Sequence, residues 1–167
     1  MEKIQEELIA ALNSALKLEH AARIQYLAHA EQIKGVNAEK IIERLKEIAS
    51  DEEKHENKFR TLIGDYLGGE PTMDLAPTHT AADQDAIFKI NLKGERDAID
   101  LYKTIYKKVM DNKDQLPYAL ETLEHELRHI IIDEQEHVVE LSRLLEQEPA
   151  YAAAGTAAYA NANRAKR

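Results

Sequence analysis

Apolar residues recur at steps of three and four along four long stretches, the spacing of a helix with one buried face. The first stretch, residues 2–34, carries Leu8, Leu12, Leu16, Ala22, Tyr26 and Leu27 on its stripe and stops at Gly35. The second begins after Asn37, a residue suited to helix capping, and carries Leu45, Ile48, Phe59, Leu62 and Ile63 before Gly68 and Gly69. The third, about 82–111, shows Phe88, Leu92, Ala98, Ile99, Tyr102, Ile105 and Val109. The fourth, about 116–147, has Pro117 at its expected first turn and a face of Leu127, Ile130, Ile131, Val138 and Leu141. No stretch alternates as a strand would, so the pattern predicts an all-α, four-helix chain.

The connections predict how those helices are arranged. The joint at Gly35 is short, so the first two helices are antiparallel neighbours. Residues 68–81, with Pro71 and Pro77, form one long connection. A helix of about 29 residues is roughly 44 Å long, and a fourteen-residue link, nearly extended, reaches roughly 46–50 Å. The link therefore spans the bundle and makes helices two and three parallel. A simple up-down-up-down bundle leaves its length unexplained. One domain over 1–147 is expected, followed by an Ala-rich tail over 148–167, frayed or docked on a neighbour.

Polar residues interrupt the stripes. Glu19 lies within the first, Glu52 and His55 within the second, Glu95 within the third, and Glu134 and His137 within the fourth. The interruptions repeat. Leu16, Glu19, Ala22 and Tyr26 have the spacing of Leu92, Glu95, Ala98 and Tyr102, while Ile48, Asp51, Glu52 and His55 have that of Ile130, Asp133, Glu134 and His137. Coincidence must produce eight matches at fixed offsets, so two related hairpins about a pseudo-twofold axis are the better explanation. Glu126 and His129 share the Glu-x-x-His spacing but lie about 80° around the helix from Glu134 and His137, and they read as a surface pair. The single residues His20, His29, His79 and His125 read as solvent-facing.

Composition narrows the chemistry. A net charge of −9, with 32% charged residues, disfavours nucleic acid and anionic membrane as partners. The absence of Cys removes disulfides, thiolate zinc sites and iron–sulfur clusters. No apolar run approaches a membrane span and no signal peptide is evident, so a cytoplasmic protein is expected. Four Glu converging in a bundle core would repel one another and partly protonate. Two divalent ions balance their charge, and carboxylate with imidazole suits iron or manganese alike.

With those six positions the sequence resembles the ferritin-like di-iron carboxylate superfamily, most closely bacterioferritin and the helical domain of rubrerythrin, over about residues 2–147. The fold that the resemblance implies is an antiparallel ferritin-like four-helix bundle with a long crossover between helices 2 and 3. The site it implies holds two iron ions, bridged by Glu52 and Glu134, with Glu19 and Glu95 as terminal ligands and one ion on each of His55 and His137. Asp51 and Asp133 are the expected partners of the imidazole N–H groups, and Tyr26 and Tyr102 line the site. Bacterioferritin carries a haem-ligating Met where this chain has Glu53, so no haem is expected. Rubrerythrin carries a further Glu where this chain has Ala98, and a Cys-rich electron-transfer module that has no counterpart here.

The expected function is a non-haem di-iron oxidoreductase reacting with dioxygen or hydrogen peroxide, as a ferroxidase or as a peroxide reductase active in oxidative stress and served by an external electron donor. An iron storage or transport cage and a metal-free helical interaction protein are the alternatives. The protein is expected to be a homo-oligomer, a dimer or larger.

Overall fold

The computed structural model describes residues 2–146. Helix α1 spans Lys3–Ala30, α2 Ala38–Thr61, α3 Gln84–Asp111 and α4 Leu120–Leu144. A π turn, Leu62–Tyr66, extends α2, and a 3-10 turn, Lys113–Gln115, precedes α4. Among the described residues there is no strand, and no helix is long and apolar enough to cross a membrane. The expected tail lies outside the described residues.

Local chemistry sets the helix ends, with three departures from the sequence reading. Asp83 caps α3 by accepting from the Ala86 N–H at 2.8 Å. Asn37 stands at the N-terminal boundary of α2, but in the left-handed region (φ 68°) and without a side-chain capping bond. Gly35, at φ +95°, turns the chain instead. α4 starts at Leu120 rather than at Pro117. Leu116 and Ala119 are buried and hold the preceding turn against the core, and the Ala119 and Leu120 N–H groups both bond the Leu116 carbonyl. α1 ends at Ala30, before Gly35, and Leu27 is 41% exposed, off the buried stripe.

The connection between α2 and α3 runs the length of α1. Asn13 Nδ2 donates to the Glu70 carbonyl (3.0 Å) and Asn13 Oδ1 accepts from the Thr72 N–H (2.7 Å). The Ala76 N–H bonds the Lys17 carbonyl at 2.9 Å, and the His79 N–H bonds Gln25 at 2.7 Å. Rising numbers in the connection meet rising numbers in α1. The strap therefore delivers α3 to the far end of the bundle, antiparallel to α1 and parallel to α2.

The core forms two clusters. One holds Leu8, Leu12, Leu16, Phe59, Tyr102 and Leu127, and the other Tyr26, Leu45, Ile48, Phe88, Leu92 and Leu141. Along α1, α2 and α4 the polar interruptions fall between the two clusters, and in α3 Glu95 falls where they meet, between Leu92 of one and Ala98 of the other. Hydrophobic burial on both sides thus fixes the mid-bundle layer that holds them.

Candidate metal centre

The six interrupting residues meet in that layer, each at most 4% exposed. Their donor atoms form two groups. Glu19, Glu52, His55 and Glu134 make one, and Glu52, Glu95, Glu134 and His137 make the other, with every donor in a group within 4.8 Å of the rest. Glu52 and Glu134 belong to both. His55 Nδ1 lies 3.2 Å from Glu52, 3.5 Å from Glu19 and 3.3 Å from Glu134. His137 Nδ1 lies 3.1 Å from Glu134 and 3.7 Å from Glu95.

The groups around them are exchanged between the two halves of the chain. Tyr26 Oη donates to Glu95, and Tyr102 Oη donates to Glu19. His55 Nε2 faces Asp133 at 3.2 Å, and His137 Nε2 faces Asp51 at 3.5 Å. Each aspartate thus orients the imidazole of the opposite helix rather than that of its own. In the neutral ring, an Nε2–H held by carboxylate leaves Nδ1 as the inward lone pair.

Electrostatics of the metal-free cluster follow from this crowding. Burial, then the Glu134, Glu19 and Glu95 charges, push Glu52 well above the usual carboxylate range. Burial with Glu95 and Glu19 raises Glu134 to about 8. Burial also acts to raise Glu95, but bonds from His137, Glu134 and Tyr26 outweigh it and hold that carboxyl low. Burial acts to lower His137, and its bonds to Glu134 and Glu95 carry it to about 10 instead. His55 is raised in the same way, with Asp133 the leading partner that outweighs burial. Burial and the Glu95 and Glu19 charges raise Tyr26 and Tyr102 respectively, so both remain proton donors. Without metal, the layer is a cluster of acids that must hold protons.

A pair of divalent ions fits these residues. Glu19 Oε2 and Glu52 Oε1 are buried and lack any hydrogen-bond partner, a costly state for acceptor oxygens. Both belong to side chains in the two donor groups. Oxygen-rich sets with one imidazole each suit iron and manganese.

Two of the histidines expected in solvent are buried. His20 Nδ1–H donates to the Asp74 carbonyl at 2.6 Å, and its Nε2 accepts from Arg60 at 2.9 Å. His29 Nε2–H donates to the His79 carbonyl at 3.0 Å, and its Nδ1 accepts from Asn91 at 3.0 Å. The strap over α1 covers both. Burial leads the forces on His29 and lowers its pKa, keeping it neutral. His79 and His125 are exposed, as expected. Glu126 and His129 lie outside the carboxylate layer and are partly exposed; Glu126 pairs with Lys58 of α2 at 3.3 Å, and His129 packs against His125 with ring centroids 4.3 Å apart.

Sequence reasoning missed two features. Glu56, buried beside His55, bonds Arg23 at 2.5 Å and Arg60 at 2.6 Å. A cavity of about 430 Å³ also opens between α1 and α3 under the strap, with Glu19, Glu52, Glu95 and Glu134 in its lining. The signal for the cavity was in the repeat: Gly94 stands directly before Glu95, where the first half has Leu18 before Glu19.

Comparison with known proteins agrees with this architecture. A ferritin-like, diiron-carboxylate protein from Bacillus anthracis str. Ames superposes with a TM-score of 0.80 at 27% identity, covering 87% of this chain and 99% of that one. A bacterioferritin from Rhodobacter capsulatus, solved with a metal-free dinuclear site and haem iron, gives 0.75 at 25% identity, covering 84% of each chain. A dodecameric thioferritin from Bacteroides fragilis, a bacterioferritin-related protein, gives 0.74 at 27% identity, covering 85% of this chain and 86% of that one. No curated protein matches the chain. The family model for the ferritin-like domain matches residues 9–151, and the chain belongs to that family.

Proposed function

We propose that the protein is a non-haem di-iron oxidoreductase holding two iron ions on Glu19, Glu52, His55, Glu95, Glu134 and His137. The observation that carries this reading is the sharing of Glu52 and Glu134 between two otherwise separate donor groups, which is what two adjacent ions need from bridging carboxylates. The ions, when bound, would supply the electrons that reduce dioxygen or hydrogen peroxide. The chain's own residues do the rest. Asp133 and Asp51 fix the imidazole rings with Nδ1 inward. Tyr102 and Tyr26 hold one oxygen of Glu19 and Glu95 respectively by donating a hydrogen bond to it, which limits how those carboxylates turn. The apolar clusters on either side close the two ends of the layer to bulk water and leave the cavity between α1 and α3 as the approach to it.

Anaerobic loading with Fe(II), followed by stopped-flow mixing with dioxygen or with hydrogen peroxide, tests this. Saturation at two irons per chain with faster oxidation by peroxide marks a peroxide reductase, which takes electrons from an external donor. Fast oxidation by dioxygen marks a ferroxidase. Failure to bind iron stoichiometrically refutes both.

Iron storage is the second reading, favoured by the likeness to the bacterioferritin and the dodecameric thioferritin. In that case Fe(II) is also the substrate, and oxidation continues beyond two irons per chain. A homo-oligomer is proposed on the same grounds, and light scattering separates a dimer from a closed cage.

A further inference from the structure

Gly94 lies within α3, twenty-eight residues long, far from either end. A glycine there weakens the helix, and nothing steric demands it. Its φ is not in the left-handed region, and a Cβ built on it meets nothing within 4 Å. Its counterpart in the repeat is Leu18, so one wall of the pseudo-symmetric layer carries a leucine and the other carries no side chain at all. The missing side chain opens onto the cavity of about 430 Å³, whose walls include Leu18, Ala22, Ile90, Ala98 and Pro77. At liquid water's share of about 30 Å³, that volume holds roughly fourteen atoms of water size. Dioxygen and hydrogen peroxide have two each. The space is far larger than the oxidant needs.

From this geometry we infer that the cavity between α1 and α3 is a binding site for a neutral, mainly apolar organic molecule that sits against the carboxylate layer. Most of the surface its walls expose is apolar, from Leu18, Ala22, Ile90, Ala98 and the rings of Tyr26 and Tyr102, with the carboxylates at its floor. At the mouth Lys93 and Asp97 pair with each other, leaving no unbalanced charge to select an ion. The strap residues His79 and Thr80 border the opening, and the His79 backbone is tied to Gln25 and His29, so the mouth has a defined shape. An occupant would lie between solvent and Glu19, Glu52, Glu95 and Glu134, and would control what reaches them. The inference goes beyond the proposed metal chemistry and does not depend on it.

The test uses the full chain without metal, so its result is separate from that of iron loading. Isothermal titration calorimetry with n-hexanol and n-octanol should show saturable binding, tighter by about fourfold for each added methylene, the ratio expected for transfer into an apolar cavity. Gly94→Leu should weaken n-octanol binding at least tenfold while circular dichroism shows unchanged helix content, and Ala22→Leu, from the opposite wall, should do the same. No saturable binding of either alcohol would overturn the proposal. So would folded Gly94→Leu and Ala22→Leu chains that bind n-octanol as tightly as the unaltered one.

Discussion

Glu134 bonds His137, lies 3.3 Å from His55 Nδ1 and belongs to both donor groups. Its loss should therefore disable both metal positions together. Glu134→Ala is expected to abolish paired-metal binding, measured as iron per chain after anaerobic loading; two irons per chain in this variant would refute the assignment. Asp133 acts one step out, through His55 Nε2. Asp133→Asn is expected to lower metal affinity by about 10- to 100-fold without removing the site, which a competition titration against a chelator can read. The pH dependence of the metal-free fold has a definite sign. His137 rises from 6.5 to about 10 and Glu134 from 4.5 to about 8. A raised folded pKa contributes stability that is complete below the unfolded value and is lost as pH climbs through the folded one. Both groups act in the same direction, so the metal-free melting temperature should fall between about pH 4.5 and 10, most steeply between about pH 6.5 and 8, where the two windows overlap. Metal needs these groups deprotonated, so loading should release protons and bind more tightly as pH rises over the same interval.

What the sequence disclosed at this scale, and what it withheld, has a physical cause. Glu19, Glu52, His55, Glu95, Glu134 and His137 were legible because a costly polar residue inside an apolar stripe stands out, and because the stripes repeat. The assignment of Asp51 to His137 and of Asp133 to His55 was not legible. It depends on the antiparallel register of α2 against α4, which no local spacing encodes. His20 and His29 read as solvent-facing because each is single. Their surroundings come from distant parts of the chain, the strap together with Arg60 for His20 and Asn91 for His29.

At the scale of elements, α3 and the strap each offer a test. Gly94→Ala replaces a mid-helix glycine where the added methyl meets nothing. The variant should gain about 0.8–1 kcal/mol in stability, seen as a higher denaturation midpoint at unchanged slope. A loss instead would mean that the methyl meets an occupant of the cavity. The strap depends on side chains of α1 for its path. Asn13 supplies both a donor and an acceptor to it, at Glu70 and Thr72. Asn13→Ala should leave helix content intact but strip the Thr72 amide of its hydrogen-exchange protection. Element lengths and the need for a long crossover were readable from periodicity and reach. The helix boundaries were less so, because Leu116 and Ala119 hold the start of α4 by tertiary burial, an effect that outweighs the preference of Pro117 for a first helical turn.

The whole molecule joins two stable apolar clusters by a layer that is unstable alone. Most of the folding free energy of such a bundle comes from the clusters, so the metal-free chain should fold. Its central layer nonetheless carries two buried oxygens without partners and four crowded carboxylates. Ions that bind this layer only in the folded chain must raise its stability by mass action, about 2.7 kcal/mol at a hundredfold excess over Kd. Calorimetric melting with and without Fe(II) under anaerobic conditions should therefore show a clear rise in Tm for the unaltered chain and none for Glu134→Ala. An equal rise in both would place the ions on the acidic surface, where a net charge of −9 attracts cations without any built site. No rise in either would mean that the layer is stabilised by its protons alone, and a helical interaction protein would then be the better account of the same fold.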